Sequence, residues 1–483
     1  MSSEPAPVII TAPNSPQSLR EAWVALAWLS AVFLFEMLDN SILNVALPTI
    51  GRQLHASAVS LEWVTGVYAV VFGGLMLIFG ALADRFGRRR MMIVGLVILG
   101  CASLATAGVR TADELVAVRA VMGMAAAMTT PGSIALAFRL FPGDTLRVRA
   151  MTLISTVGLV GLAVGPTVGG FVLAIAPWQV LLLVNVPIAV LAFIGIRLGI
   201  SPDQPEELHR DPIDVLGALA GTATIVVALV TPTLFVDYGA RSWLPWIGTL
   251  VTVMLALAFI LRERTARYPL LDLAIITRPL VASGLAYKAA TGLAVAGMGY
   301  LVTLQLQLDW GWPPYLASLG MLPQVVVLVF GGPLSNRFIE KVGLDRASWL
   351  SAGSVVAGLA VYSVLGSSGY AWIAVALMLV AAGIRVNGVV AGTNVLRGLP
   401  ANRTSIGAAL VDTASEVATA VGIAVTGTVL AALFPGRLTT PGWSLEQTGR
   451  FQEGVLVGGL ALTVAAAALV VFGIARSRRS STA

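Results

Sequence analysis

Charge is what this sequence has least of: Asp, Glu, Lys and Arg make up 11% of 483 residues, against 57% hydrophobic residues and a mean hydropathy of +0.89. A soluble domain carries roughly a quarter of its residues charged, so this composition excludes a water-soluble chain and predicts an all-α polytopic membrane protein. Cysteine is nearly absent. Cys101 stands alone, so no intramolecular disulfide can form and the redox compartment stays unread. The two histidines, His55 and His209, fall between apolar runs, which leaves any proton relay inside a bilayer to carboxylates. Long polar stretches are missing too. The longest connection on the basic side, SPDQPEELHRDP at 201–212, has no room for a soluble catalytic domain. With no metal cluster, nucleophile–base pair or phosphate loop in the sequence, an enzyme is not expected. Nor is a cleaved signal peptide, since no basic leader with a small-residue cleavage site precedes the first apolar run.

What the chain does have is apolar runs of about 20 residues, each long enough to cross a hydrocarbon core of roughly 30 Å. They fall near 23–47, 60–82, 91–109, 112–138, 148–174, 178–200, 212–236, 243–261, 280–306, 314–334, 347–367, 370–394, 405–433 and 453–475, fourteen in all. With the N-terminus inside, the inner connections and tails hold 22 of the 30 basic residues and the outer ones hold 5. That asymmetry predicts cytoplasmic termini and an even number of spans. The formal charge of +6 is therefore topological, and no nucleic-acid partner is expected. The bilayer is the expected partner.

A short repeat divides the chain. GALADRF at 80–86 and GPLSNRF at 332–338 share Gly, Leu, Arg and Phe at an offset of 252 residues, each closing a span before a basic loop. The predicted organisation is a disordered tail at 1–22, a six-helix half at 23–200, a loop with two inserted helices at 201–279, a second six-helix half at 280–475 and a basic tail at 476–483.

Charges inside the spans are the candidate functional groups, because each costs from about 2.5 to over 10 kcal/mol if left facing lipid. In FEMLDNSILN, Glu36 and Asp39 lie three residues apart on one helix face. At 1.5 Å per residue Asp39 sits ~24 Å along the first span, level with Arg119 of the fourth, so an Asp39–Arg119 pair is predicted and Glu36 is left without a named partner. Approach of a cation to such a carboxyl displaces its proton, which is antiport chemistry. In the second half, Lys288, Arg385, Asp412 and Glu416 reach similar depths. Lys288–Asp412 and Arg385–Glu416 are either structural pairs or substrate contacts. Lys288 and Arg385 also leave an anionic, zwitterionic or endogenous cargo open.

GLVGLAVGPTVGG at 158–170 sets Gly161, Gly165 and Gly169 at four-residue intervals, a stripe that admits a second helix closely, and Pro166 weakens its own helix. With Gly158 and Gly170 the string resembles the antiporter signature of the fifth helix in the major facilitator superfamily. GALADRFGRRR at 80–90 resembles that superfamily's first cytoplasmic loop. LDNSILNVALP at 38–48, WQVLLLVNVP at 178–187 and LQLDWGWPPYLASLGMLP at 306–323 are similar to segments of its fourteen-helix drug:proton antiporter family. Asp412, Ser415 and Glu416 depart from it, standing where that family has amide and basic residues.

The resemblance implies a major facilitator fold and export of amphipathic, often cationic compounds by a monomer in a bacterial inner membrane. The proton gradient would be its only energy source, with no cofactor. It implies Glu36 and Asp39 as proton and cation acceptors with Arg119 tuning Asp39. Asp84, Arg85, Gly87 and Arg88 would form a cytoplasmic gate, and the glycine string a packing hinge.

Overall fold

The computed structural model describes residues 18–141, 144–203, 214–239, 241–267, 269, 273–397, 404–434, 438 and 442–481, and among them every regular element is helical. Each expected span coincides with helix. These are α1 (Trp23–Gln53), α2 (Ala58–Phe86), α3 (Arg88–Ala105), α4 (Ala112–Leu140), α5 (Asp144–Ile175), α6 (Gln179–Gly199), α7 (Val215–Tyr238) and α8 (Trp243–Thr265). The second half holds α9 (Pro279–Leu304), α10 (Pro314–Phe330 with Gly332–Val342), α11 (Leu344–Leu365), α12 (Tyr370–Arg397), α13 (Thr404–Leu433) and α14 (Leu445–Ser481). Eleven of these are apolar and long enough to cross a membrane, twelve if the two parts of α10 count as one span. The other two, α4 and α7, are helices of 29 and 24 residues.

Helix packing repeats between halves. α1 packs on α4, α5 and α6, α2 on α4, and α3 on α4 and α6. Adding eight to each label gives the second set: α9 on α12, α13 and α14, α10 on α12, and α11 on α12 and α14. Two six-helix halves are therefore pseudo-symmetric, and α7–α8 lies outside the repeat. α7 covers the seam between α2 and α13, where Thr222 Oγ1 donates to the Gly74 carbonyl at 2.7 Å. Asp214 caps the N-terminus of α7 through the Gly217 N–H and accepts from Arg262 Nε of α8 at 2.9 Å, tying the two helices at one end.

Glycine decides how closely the halves are built. A methyl at Gly169 of α5 would lie 2.6 Å from Ile42 Cγ1 of α1, and methyls at Gly158, Gly161 and Gly165 would overlap Phe33, the Leu34 carbonyl oxygen and Ser41. The whole stripe thus faces α1, the helix that carries Glu36 and Asp39. Pro166 lies within α5 among these contacts. Gly170 faces the other half, against Ser318 and the Pro314 carbonyl oxygen. In the second half the same role falls to Gly292 and Gly422, whose added methyls would meet Ser415 O at 2.5 Å and Leu293 O at 2.6 Å.

The repeated heptapeptides lie at equivalent ends of α2 and α10, with one difference. α2 runs unbroken to Phe86, whereas α10 bends by 58° at Gly331. Pro333, standing where α2 has Ala81, has no N–H to give and its ring crowds the carbonyl four residues back.

Candidate functional site

α1, α2, α4 and α6 bring six polar side chains together, Glu36, Asp39, Tyr68, Arg119, Thr130 and Asn185. Asp39, 4% exposed, pairs through Oδ2 with Nη1 of Arg119, which is 1% exposed. Its Oδ1 accepts from Asn185 Nδ2 of α6 at 2.9 Å. Arg119 also donates from Nε to the Val64 carbonyl at 3.4 Å and lies 4.4 Å from the centre of the Tyr68 ring. Both oxygens of Asp39 are therefore engaged, and the guanidinium is held by carboxylate, carbonyl and aromatic face together.

Glu36, one turn away and 7% exposed, differs. Its Oε2 contacts the Thr130 hydroxyl of α4, and its Oε1 is buried with no hydrogen-bond partner. A narrow recess adjoins both acids, lined by Phe35, Leu96, Ile188 and Thr129 among others. It lies among helices of the first half.

The second half supplies further charge, in an arrangement the sequence does not predict. Lys288 of α9 acts electrostatically on both Asp412 and Glu416 of α13, yet among the described residues it closes an ion pair with neither. Arg385 does not pair with Glu416. It lies against Gly332, on the far side of the bend in α10, where the missing Cβ leaves room for the guanidinium. Glu416, 8% exposed, instead turns toward α2 of the first half, and its Oε2 has no hydrogen-bond partner. The four charges thus do not form one network, because equal depth along an axis does not fix which way a side chain faces.

At the basic end, Gly87 has φ +110°, a conformation that favours glycine, and a Cβ there would collide with Asp203. It precedes α3, whose first turn has no side-chain cap of its own. Asp203, more than a hundred residues on, provides one: Oδ1 accepts from the Arg89 N–H at 3.1 Å and Oδ2 from the Arg90 N–H at 3.2 Å. Arg85 is exposed and its guanidinium lies 5.7 Å from the centre of the Phe86 ring, while Arg88 begins α3. The side chain of Asp84 lies outside the described residues. Removing an N-cap carboxylate costs about 1 kcal/mol. Asp203→Ala is therefore expected to speed amide exchange at Arg89 and Arg90 about fivefold, read by hydrogen–deuterium exchange mass spectrometry. Unchanged exchange there would remove the cap assignment.

Several of these groups escape sequence reasoning. Asn185 sits in an apolar run, and its amide was a signal available in WQVLLLVNVP. Glu62 is a carboxylate within the second span, 3% exposed. It packs on Gly427 of α13, where an added methyl would lie 2.6 Å from Glu62 Cγ, and Thr428 Oγ1 lies 3.5 Å from its oxygens. With the 2.8 Å bond from Gln307 Nε2 to the Val45 carbonyl and the Gly170–Ser318 contact, it joins the halves at the end away from the basic loops. Thr130 and Tyr68 carry no sequence signal, since hydroxyls are common in apolar helices.

The family model described as Major Facilitator Superfamily matches residues 29–434. The methyl viologen resistance protein SmvA of Salmonella typhimurium is 30% identical over 430 residues, covering 87% of this chain and 84% of that protein. The multidrug efflux pump LfrA of Mycolicibacterium smegmatis is 27% identical, covering 94% and 89%. A crystal structure of a POT family transporter in complex with a thioalcohol-conjugated peptide superposes with a TM-score of 0.64 over 92% of this chain and 95% of its own. At 15% identity that likeness speaks to the fold alone.

Proposed function

This chain belongs to the Major Facilitator Superfamily, and we propose that it is a proton-coupled exporter of amphipathic, often cationic compounds working by alternating access. The resistance and efflux proteins to which it is similar support that reading. So does the chemistry of Glu36.

The carrying observation is a hydroxyl with one proton and two claims on it. Thr130 Oγ1 contacts both Glu36 Oε2 and the Ala126 carbonyl oxygen, the latter at 3.0 Å. A threonine hydroxyl has a single hydrogen to donate. If it goes to Ala126, the Glu36 contact is satisfied when Glu36 is itself the donor, a neutral carboxylic acid. Glu36 is then the proton carrier. A cation entering the adjoining recess favours the ionised form and releases the proton, while Asp39, both oxygens engaged, fixes Arg119 and orients the site. The proton gradient is the sole energy source in this reading, and no cofactor takes part.

The first half, 23–200, and the second, 280–475, would rock about this level, with α1–α5 as the glycine-packed pivot. In this reading both termini lie in the cytoplasm of a bacterial inner membrane, an orientation that the basic loops support. The contacts at Glu62–Thr428 and Gln307–Val45 then lie on the outer side. The protein would act as a monomer, with substrate, protons and lipid as its partners.

The test is collapse of a pH gradient in proteoliposomes when ethidium is added. Vesicles holding the protein should lose the gradient at a rate that rises with ethidium and saturates, and empty vesicles should not. Equal rates in both would overturn the proposal.

A further inference from the structure

α2 and α13 come from opposite halves and pack along each other, and α7 of the inserted pair lies across both. Toward the first half its contact is polar. Thr222 Oγ1 donates to the Gly74 carbonyl, and a Cβ built on Gly74 would stand 3.9 Å from Thr222 Cβ. Toward the second half its contact is apolar: Ile225 and Val226 pack on a cluster in which α2 supplies Ala69 and Val70 and α13 supplies Ala420 and Ala424. Among the described residues of α7, no side chain hydrogen-bonds to the second half; Thr224 and Thr231 donate within their own helix.

α8 packs chiefly on α7 and leaves Leu250, Val253, Met254 and Leu257 exposed. The Arg262–Asp214 bond joins the two helices at one end, so they move as one piece. The chain that leads into α7 is held to the first half as well, by Asp203 on the first turn of α3. Phe259 of α8 reaches the second half through an apolar cluster with Val281, Val395 and Leu410.

The two kinds of contact answer motion differently. A hydroxyl–carbonyl bond is directional, and in a bilayer no water replaces it when it breaks. Contacts among small apolar side chains have no preferred direction and form again after a shift. Rocking of the halves moves α2 against α13, so α7 cannot keep both contacts unchanged.

We infer that α7–α8 is a strap carried by the first half, and that α7 slides over α13 to keep the α2–α13 seam closed to lipid as the halves rock. The inference rests on the alternating-access reading above and adds which half bears the inserted helices and where the moving surface lies.

Two cross-links test this, made in the full chain carrying Cys101→Ala and reconstituted in proteoliposomes. Gly74→Cys with Thr222→Cys ties α7 to α2, and the 3.9 Å separation is one that a disulfide spans. Val226→Cys with Ala420→Cys or Ala424→Cys ties α7 to α13. After oxidation the first link is expected to leave ethidium-driven proton movement within about twofold, and the second to slow it at least about tenfold, as blocking a required conformational step does. Reduction should restore the second. Spin labels at the exposed Met254 of α8, Val97 of α3 and Val364 of α11 give the same answer without touching the seam. The 254–97 distance should hold when ethidium is added, and the 254–364 distance should change. Block by both links or by neither, block by the α2 link alone, or failure of either link to form would overturn the strap while the export reading stands. If the unmodified protein does not respond to ethidium, the export reading fails and takes this inference with it.

Discussion

Glu36→Gln is expected to reduce ethidium-driven proton movement in proteoliposomes by at least about a hundredfold, a loss typical of removing an essential proton-transfer group. The amide has nearly the volume of the acid, so packing against Phe35 and the recess is kept. It can still meet the Thr130 hydroxyl through its oxygen. It cannot bind or release a proton, nor take up negative charge when a cation arrives. Thermal stability should hold or rise, since the variant removes a group whose ionised form is costly at that depth. The pairing of lost coupling with retained stability separates a proton carrier from a structural acid. Full coupling in this variant would leave Glu36 without the role proposed for it.

Arg119→Met should be the most destabilising single change in the site. The guanidinium is 1% exposed and holds Asp39, the Val64 carbonyl and the face of Tyr68. Removing one member of a buried ion pair strands the other, at a cost of about 3–5 kcal/mol. Asp39→Asn alone strands Arg119 in the same way, although Tyr68 and Val64 remain to it. Taking both charges out together strands nothing. The double variant Asp39→Asn/Arg119→Met is therefore expected to melt well above Arg119→Met, so that the two penalties are far from additive. Unfolding midpoints of the four proteins, followed by intrinsic tryptophan fluorescence, would show this. Additive penalties would mean that the pair does not act as a unit.

How much of this could be read from the sequence depends on which coordinate the sequence encodes. Hydropathy encodes length along the membrane normal, and the apolar runs fall on helices among the described residues, eleven or twelve of them apolar and long enough to cross a membrane, because every backbone group in a bilayer must be bonded within its own segment. Rise per residue encodes height, so Asp39 and Arg119 could be set at one level, and the structure joins them. The glycines at 161, 165 and 169 encode a close approach, and α1 is the helix that makes it.

Direction around the helix axis is a different quantity. Lys288, Asp412, Arg385 and Glu416 share a depth, but whether they meet depends on how α9, α12 and α13 are rotated against their neighbours. Packing at Gly73 turns Glu416 to the opposite half, and the break at Gly331–Gly332 draws Arg385 aside. The cap that Asp203 places on α3 and the hold of Asn185 on Asp39 span 114 and 146 residues, and no local pattern records a contact between segments so far apart. The sequence by itself determined the apolar runs and the position of each charge along them. Only the tertiary structure decided which charges face one another, because that choice is made by the shapes of packed helices.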